Sequence, residues 1–232
     1  MDRPAGLERF GIYRHLRSIY DEYIRDRLPR KVGVYNGVPV RDRALFDVTD
    51  ERPEYEGALV TGIRAQVRTG DRVVVVGGGK GVSTVSAARA TGPTGAVWSF
   101  EGGTERYDRL IETIELNRVG DWTSARRAIV GSDVDVYGER ASEIVDPVNL
   151  PACDVLVLDC EGAEIEILEA MDQRPRITIV EAHAFLDSPA SSVEETLVDL
   201  GYEVVDRDVE YEPKGVVVLT GRHTERSSES PK

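Results

Sequence analysis

The apolar positions of the chain form a pattern of strands that alternate with helices. Residues 73–76 are four consecutive valines, which is typical of a strand that is buried on both faces of a parallel sheet. Further apolar runs predict strands at 97–100, 125–130, 154–159 and 177–180, followed by two more at 202–206 and 215–220. We therefore expect an α/β fold whose sheet is mostly parallel and ends at one edge in an antiparallel pair.

Helices are predicted between these strands. Apolar residues recur on one side of the segment 54–69, which predicts a helix that Gly70 ends. Thr104 is a candidate N-cap for a helix that ends near Asn117. Residues 192–195 have the spacing of a capping box, so another helix is expected to begin there.

The first 50 residues precede the strand–helix alternation. Apolar residues at steps of three and four predict an amphipathic helical segment, which either packs on the flank of the domain or forms a lid or a dimer surface. Asn36-Gly37 between apolar stretches predicts a hairpin, and Pro39 restricts its second strand to a sheet edge. We expect a helical and hairpin extension at 1–50, the α/β domain at 51–221 and a polar, disordered tail at 222–232.

A glycine cluster follows the valine strand and precedes a helix rich in alanine. Backbone N–H groups and the positive end of a helix meet at such a turn, and glycines let a ligand lie against the main chain. The spacing is G-x-G-x-G, which is typical of S-adenosylmethionine sites; the candidate cofactor-binding residues are Gly77, Gly78, Gly79 and Gly81. A dinucleotide fingerprint would need Gly or Ala where Val82 stands, and a phosphate loop would need Ser or Thr directly after Lys80. A glycine-rich turn without any ligand is the alternative.

Polar side chains follow several predicted strands, at the sheet edge where open α/β sheets bind ligands. Glu101 ends the second strand of the sheet and is a candidate ligand for ribose hydroxyls. Gly131 and Ser132 follow the third strand, where the adenine half of a cofactor would lie. Four more polar residues follow the next two strands and are expected to gather at the same rim, namely Asp159, Glu161, Glu181 and His183.

Composition narrows the classes of function. The net charge is −13, and lysine occurs only at positions 31, 80, 214 and 232, which argues against nucleic acid as a partner. Apolar runs are too short for a membrane span or a signal peptide. Cys153 and Cys160 flank one strand and fit neither a disulfide framework nor a zinc site, so two core thiols in a reducing cytoplasm are expected.

Several motifs together resemble the FkbM-type S-adenosylmethionine-dependent methyltransferases. The segment from Phe100-Glu101 to Asn117 is similar to the family's F-E-P…L…N, and 128–131 resembles its A-V-G. Asp159-Cys160-Glu161-Gly162-Ala163-Glu164 resembles D-V-E-G-A-E, and Val180-Glu181-Ala182-His183 resembles V-E-x-H. The likeness covers about residues 55–220.

The resemblance implies a Rossmann-like, seven-stranded methyltransferase fold and O-methylation of a sugar, glycan or other small molecule, with S-adenosylmethionine as cofactor. It implies that the glycines line the methionine part of the cofactor, that Glu101 binds ribose, and that Asp159, Glu161, Glu181 and His183 face the acceptor, with Asp159 also near the cofactor. The expected partner is the acceptor, with no nucleic acid and no membrane; a homodimer is possible, but the sequence does not determine the oligomeric state. No metal is expected, although carboxylates at 159, 161 and 181 would suit Mg²⁺.

Three positions depart from the family pattern. The family has an acid where Val75 stands, Asn where Gly79 stands and Pro where Gly102 stands. Val75 removes a polar partner near the methionine end of the cofactor, so a nucleotide-binding protein without catalysis is the main alternative. A nicotinamide-dependent oxidoreductase is a third reading, which Val82 disfavours.

The acidic balance generates one prediction about solution behaviour. Hydrated carboxylates keep a protein soluble in concentrated salt, which also screens their mutual repulsion. We therefore expect a halophilic protein that loses structure in dilute buffer and regains it in molar salt, as followed by thermal melting. Equal melting temperatures in the two buffers would contradict this expectation.

Overall fold

The computed structural model describes residues 18, 20–24, 27–131, 143–186 and 188–224. The first eight β-strands in chain order are β1 Arg30–Tyr35, β2 Val38–Ala44, β3 Glu51–Arg52, β4 Arg72–Val76, β5 Ala96–Glu101, β6 Thr123–Arg127, β7 Ile129–Val130 and β8 Ile144–Val145. They are followed by β9 Val155–Leu158, β10 Ile177–His183, β11 Tyr202–Tyr211 and β12 Val216–His223. The α-helices are α1 Gly57–Gln66, α2 Val82–Thr91, α3 Thr104–Leu116, α4 Glu164–Ala170 and α5 Ala190–Asp199. A π-helical turn lies at Tyr20–Ile24.

Seven strands form the central sheet in the order β11-β12-β10-β9-β4-β5-β6. Neighbouring strands from β10 to β6 are parallel, whereas β12 runs antiparallel to both β10 and β11. The predicted mostly parallel sheet with an antiparallel edge pair is therefore confirmed. Because β4, β5, β9 and β10 are parallel, the residues that follow them meet at one edge of the sheet.

The core lies on both faces of this sheet. The side chains of β4 alternate between two clusters: Val73 and Val75 pack on one face, while Val74 and Val76 pack on the other. Helices α1, α2 and α3 cover the first face, and α4 and α5 cover the second. All four valines are at most 3% exposed, which explains why this strand contains no polar position.

The Asn36-Gly37 hairpin forms as predicted. Both turn residues have positive φ, 45° and 77°, as the tight turn between β1 and β2 requires. Pro39 lies on β2, which is an edge strand in the small sheet of order β2-β1-β3. The hairpin packs against the glycine turn, where the Lys80 ammonium lies 2.6 Å from the Asp42 carboxylate.

Several predicted helix boundaries are wrong. Helix α1 ends before Val67, whose extended backbone stops it upstream of Gly70. The N-cap of α3 is Gly103, whose backbone is extended, and Thr104 is the first helical residue. Pro189 is the N-cap of α5, so this helix begins at Ala190, two residues before the predicted capping box.

The predicted third strand, 125–130, is also wrong as a single element. Strand β6 ends at Arg127, and Ile129–Val130 leaves the central sheet to pair with β8. The predicted N-terminal amphipathic segment falls largely outside the described residues. Within the described part of the chain, no helix is long and apolar enough to cross a membrane, and both cysteines are free thiols.

Candidate functional site

A cavity of about 610 Å³ opens at the carboxyl ends of β4, β5, β9 and β10. Its volume is within the range of small-molecule and cofactor sites. The glycine turn and Glu101 line one side, and Asp159, Glu181 and His183 line another. The sheet topology therefore brings the candidate cofactor residues and the candidate acceptor residues into one cavity.

The glycine turn approaches the end of β9 closely. A Cβ atom on Gly77 would lie 1.7 Å from the carbonyl oxygen of Asp159, and Gly77 has φ 84°, so no other residue fits there without a backbone shift. Gly77 and Gly79 line the cavity. Gly78 and Gly81 do not, because they face the core side of the turn, where Cβ atoms would meet Leu110 and, at Gly81, Thr113.

The Glu101 carboxylate is hydrogen-bonded to the glycine turn. Its Oε2 accepts a hydrogen bond from the Gly79 amide at 2.8 Å, and its Oε1 accepts one from the Gly103 amide at 2.8 Å. The residue is only 4% exposed and lines the cavity. Since each carboxylate oxygen can accept a further hydrogen bond, Glu101 retains acceptor capacity toward a ligand in the cavity.

The predicted adenine side is described only in part. Gly131 donates its amide to Val145 and does not line the cavity, which is instead lined here by Ala128, Ile129 and Val130. Ser132 lies outside the described residues. An apolar wall therefore stands beside the position where the sequence analysis placed the adenine half of a cofactor.

Asp159, Glu181 and His183 converge on one point. His183 Nε2 lies 3.6 Å from Asp159 Oδ1 and 3.3 Å from Glu181 Oε1. On the other edge of the ring, Nδ1 lies 3.1 Å from Oε1 of Glu164, which is completely buried. Glu164 is the last residue of the D-C-E-G-A-E motif, but its contact with His183 could not be predicted from the motif spacing.

Glu161 stands apart from this group. It has a positive φ of 52°, its side chain is 44% exposed, and its carboxylate lies 3.6 Å from Arg106. It still lines the cavity. The structure therefore brings three of the four predicted acceptor-facing residues together and places the fourth nearer the surface.

Burial and mutual charge shift the pKa values of this cluster. Burial alone would lower the pKa of His183, but hydrogen bonds to Glu164 and Glu181 outweigh it and raise the pKa to about 10. Burial and the neighbouring charge of Glu181 raise the pKa of Asp159 well above its usual range. Burial also opposes ionisation of Glu164, yet the hydrogen bond from His183 lowers its pKa. His183 therefore carries a positive charge near neutral pH, and Asp159 has a high proton affinity for a carboxylate.

Glu56 is a cavity residue that the sequence analysis missed. It precedes α1 with φ 49°, and the amides of Gly57 and Ala58 donate to the Glu210 carboxylate, which holds this helix end in place. Glu56 Oε2 accepts a hydrogen bond from the Ser83 amide in the first turn of α2. Burial and the charge of Glu181 raise the pKa of Glu56 to about 8. No motif surrounds position 56, so only the fold reveals it.

Val75 stands where the family has an acid, and the structure shows its surroundings. Val75 is fully buried in the core and does not line the cavity. An acid is nevertheless present beside the glycine turn. The side chain is that of Glu56, whose Oε1 would lie 4.0 Å from a Cβ atom built on Gly79. The Glu56 carboxylate, which precedes α1, therefore lies near the glycine turn, whereas β4 has Val75 in place of the family's acid.

A second concavity of about 410 Å³ adjoins the first, and Arg106 lines both. Its wall contains six basic and two acidic side chains, among them Lys80, Arg52 and Asp42. A positively charged surface therefore borders a cavity that is acidic at its base.

The architecture and the site define a Rossmann-like methyltransferase fold. Similar solved structures include P. horikoshii TYW2 in complex with MeSAdo, with 18% identity, a TM-score of 0.55 and coverage of 84% of this chain and 71% of that one. An S-adenosylmethionine-dependent O-methyltransferase from Thermotoga maritima has 16% identity, a TM-score of 0.52 and coverage of 75% and 68%. A precorrin-6y C5,15-methyltransferase from Geobacter metallireducens has 16% identity, a TM-score of 0.54 and coverage of 75% and 89%.

Residues 114–204 match the methyltransferase FkbM domain. This stretch contains both the D-C-E-G-A-E and the V-E-A-H motifs, so the resemblance stated from the sequence is confirmed. No curated protein matches the chain.

The shifted pKa of Glu56 predicts a pH dependence of stability. Its folded-state pKa of about 8 exceeds the ordinary value of 4.5, so protonated Glu56 favours folding. This contribution is complete below about pH 4.5 and is lost as the pH rises to 8. We expect Glu56→Gln, which stays neutral, to gain stability over the wild type across this interval, by at most ~1.4 kcal/mol per pH unit.

Urea unfolding at a series of pH values measures this difference. Glu194→Gln, which removes a surface carboxylate paired with Arg207, is the matched control and should follow the wild-type profile. Parallel profiles for the wild type and Glu56→Gln would show that Glu56 ionises normally in the folded protein.

Proposed function

We propose that this protein is an S-adenosylmethionine-dependent methyltransferase that methylates a hydroxyl group of a sugar, glycan or other small molecule. The observation that carries the proposal is the Glu101 carboxylate, which is buried at the cavity wall and bonded to the Gly79 amide. The FkbM domain match and the methyltransferase fold support the reaction class. The net charge of −13 favours a small or glycan acceptor over nucleic acid.

The cavity residues suit S-adenosylmethionine. Gly77 and Gly79 present bare backbone, so a ligand can approach the turn. Glu101 can accept hydrogen bonds from ribose hydroxyls, and Ala128, Ile129 and Val130 offer an apolar surface to a base. The cofactor carries a positive sulfonium that supplies the methyl group, and carboxylates in a partly desolvated cavity favour such a cation. We infer that these residues hold the cofactor.

The acceptor hydroxyl would meet the cluster of Asp159, Glu181 and His183. Holding donor and acceptor in contact supplies much of the acceleration of an in-line displacement. A base adds about 10²–10⁴-fold. His183 is protonated near neutral pH and cannot accept a proton, whereas the raised pKa of Asp159 makes its ionised form a stronger base. Asp159 is therefore the proposed proton acceptor, with His183 and Glu164 as positioning residues.

Two other classes of function give different binding results. A degenerate nucleotide-binding protein, which Val75 favoured from the sequence, would transfer no methyl group. An oxidoreductase would bind a nicotinamide dinucleotide, but Val82 opens α2 and is fully buried where the fingerprint needs Gly or Ala. Isothermal titration with S-adenosylhomocysteine and with NAD separates these classes. Saturable binding of the first compound alone supports our proposal.

Removal of the Glu101 carboxylate tests the cofactor side. We expect Glu101→Ala to weaken S-adenosylhomocysteine binding by about 2–4 kcal/mol, because two charge-assisted hydrogen bonds to ribose are lost. Titration calorimetry measures the change. Glu115→Ala, on the exposed side of α3, is the control and should bind like the wild type. An unchanged affinity of Glu101→Ala would mean that this carboxylate serves only the turn.

Asp159→Asn tests the acceptor side. The amide keeps the shape of the carboxylate but cannot take a proton, so we expect methyl transfer to a panel of hydroxyl acceptors to fall about 10²–10⁴-fold. Binding of S-adenosylhomocysteine should remain. Transfer of a labelled methyl group measures the rate, and equal rates in the two proteins would assign the base to another group.

A further inference from the structure

Three side chains from two neighbouring strands surround one point at the base of the cavity. Asp159 follows β9, while Glu181 and His183 are residues of β10 that point to the same side. One donor atom from each lies within 4.8 Å of the other two. Two donors that are each about 2.1 Å from one ion and at right angles lie about 3.0 Å apart. The separations of 3.6 Å and 3.3 Å from His183 Nε2 therefore need only a small closure to hold one ion.

The histidine is oriented as metal-binding histidines are. Its Nδ1 contacts Glu164, which is fully buried and is itself fixed by the Gly162 amide. When Nδ1–H donates to Glu164 and a bound ion displaces the Nε2 proton, the lone pair of Nε2 that this frees points toward Asp159 and Glu181. A carboxylate behind the imidazole is the usual outer partner of a metal-ligating histidine.

Glu181 provides a separate observation. The residue is 8% exposed and lines the cavity, and its Oε2 has no hydrogen-bond partner among the residues that the structure describes. A buried carboxylate oxygen without a partner is costly. A cation at the centre of the three side chains would pair with this group.

We propose that Asp159, Glu181 and His183 bind a divalent cation, with Glu164 holding the histidine. Two carboxylates and one imidazole favour a first-row transition ion such as Mn²⁺ over Mg²⁺, which prefers oxygen ligands alone. Glu161, which the sequence analysis grouped with these acids, stays outside the site. Three protein ligands leave coordination positions open toward the cavity, where an acceptor oxygen can bind. Binding of a cation is a property separate from methyl transfer, and it can be present whether or not the protein transfers methyl groups.

Titration of the metal-free protein with Mn²⁺, followed by electron paramagnetic resonance and calorimetry, tests this site. We expect saturable one-to-one binding by the wild type. His183→Gln and Asp159→Asn, which each remove one ligand, should reduce the affinity at least as much as loss of an outer partner, about 10–100-fold. Glu164→Gln should reduce it within that range. Glu161→Gln removes a carboxylate from the same cavity but not from the site, so it should bind Mn²⁺ like the wild type.

S-adenosylhomocysteine binding and thermal melting of the same samples report whether each variant is folded. If His183→Gln does not fold, Asp159→Asn carries the test. No Mn²⁺ binding by a wild-type sample that binds S-adenosylhomocysteine would overturn the cation site and leave the proposed function intact. Equal Mn²⁺ binding by the wild type, Asp159→Asn and Glu161→Gln would also overturn it, because the ion would then be attracted only by the general acidity of the cavity.

Discussion

The contact between the glycine turn and its two neighbouring strands is the constraint on which the site depends. The amides of Gly77 and Gly78 both donate to the carbonyl of Phe100 at 2.9 Å, which ties the turn to β5. On the other side, Gly77 leaves no room for a Cβ before the carbonyl of Asp159. The turn therefore fixes the spacing between Glu101 and Asp159. A cofactor bound at Glu101 and an acceptor facing Asp159 would therefore be held at a fixed spacing.

Strand β4, which leads into the glycine turn, has no polar side chain at residues 73–76. Every side chain of residues 73–76 packs into one of the two core faces, so β4 acts as a rigid support. The polar groups come from the strand ends beside it, which are aligned by the parallel ladder of β4 with β5 and β9. Apolar burial on both faces supplies stability, at roughly 25 cal/mol per Å² of buried surface, and leaves the strand ends to carry function.

The sequence predicted the parts of the site that depend on strand order, and missed those that depend on packing. The positions of Glu101, Asp159, Glu181 and His183 follow from where apolar runs end, because parallel strands end at a common edge. Glu56 could not be predicted in this way, since its place beside Ser83 depends on how Glu210, far along the chain, holds the start of α1. Glu161 has the right sequence position, but its positive φ turns its side chain toward Arg106.

The distribution of charge in the cavity is unequal, and this constrains what can bind. Asp159, Glu164 and Glu181 surround His183, and Glu56 interacts with both Asp159 and Glu181, so protonation of His183 cannot balance all four carboxyl groups. Burial and the excess of negative charge oppose ionisation of Glu56 and Asp159, as their raised pKa values indicate. A sulfonium or a metal cation would reduce this excess. Because a concavity with mostly basic side chains adjoins this cavity at Arg106, a ligand with one cationic and one anionic end would be oriented by the protein before any specific hydrogen bond forms.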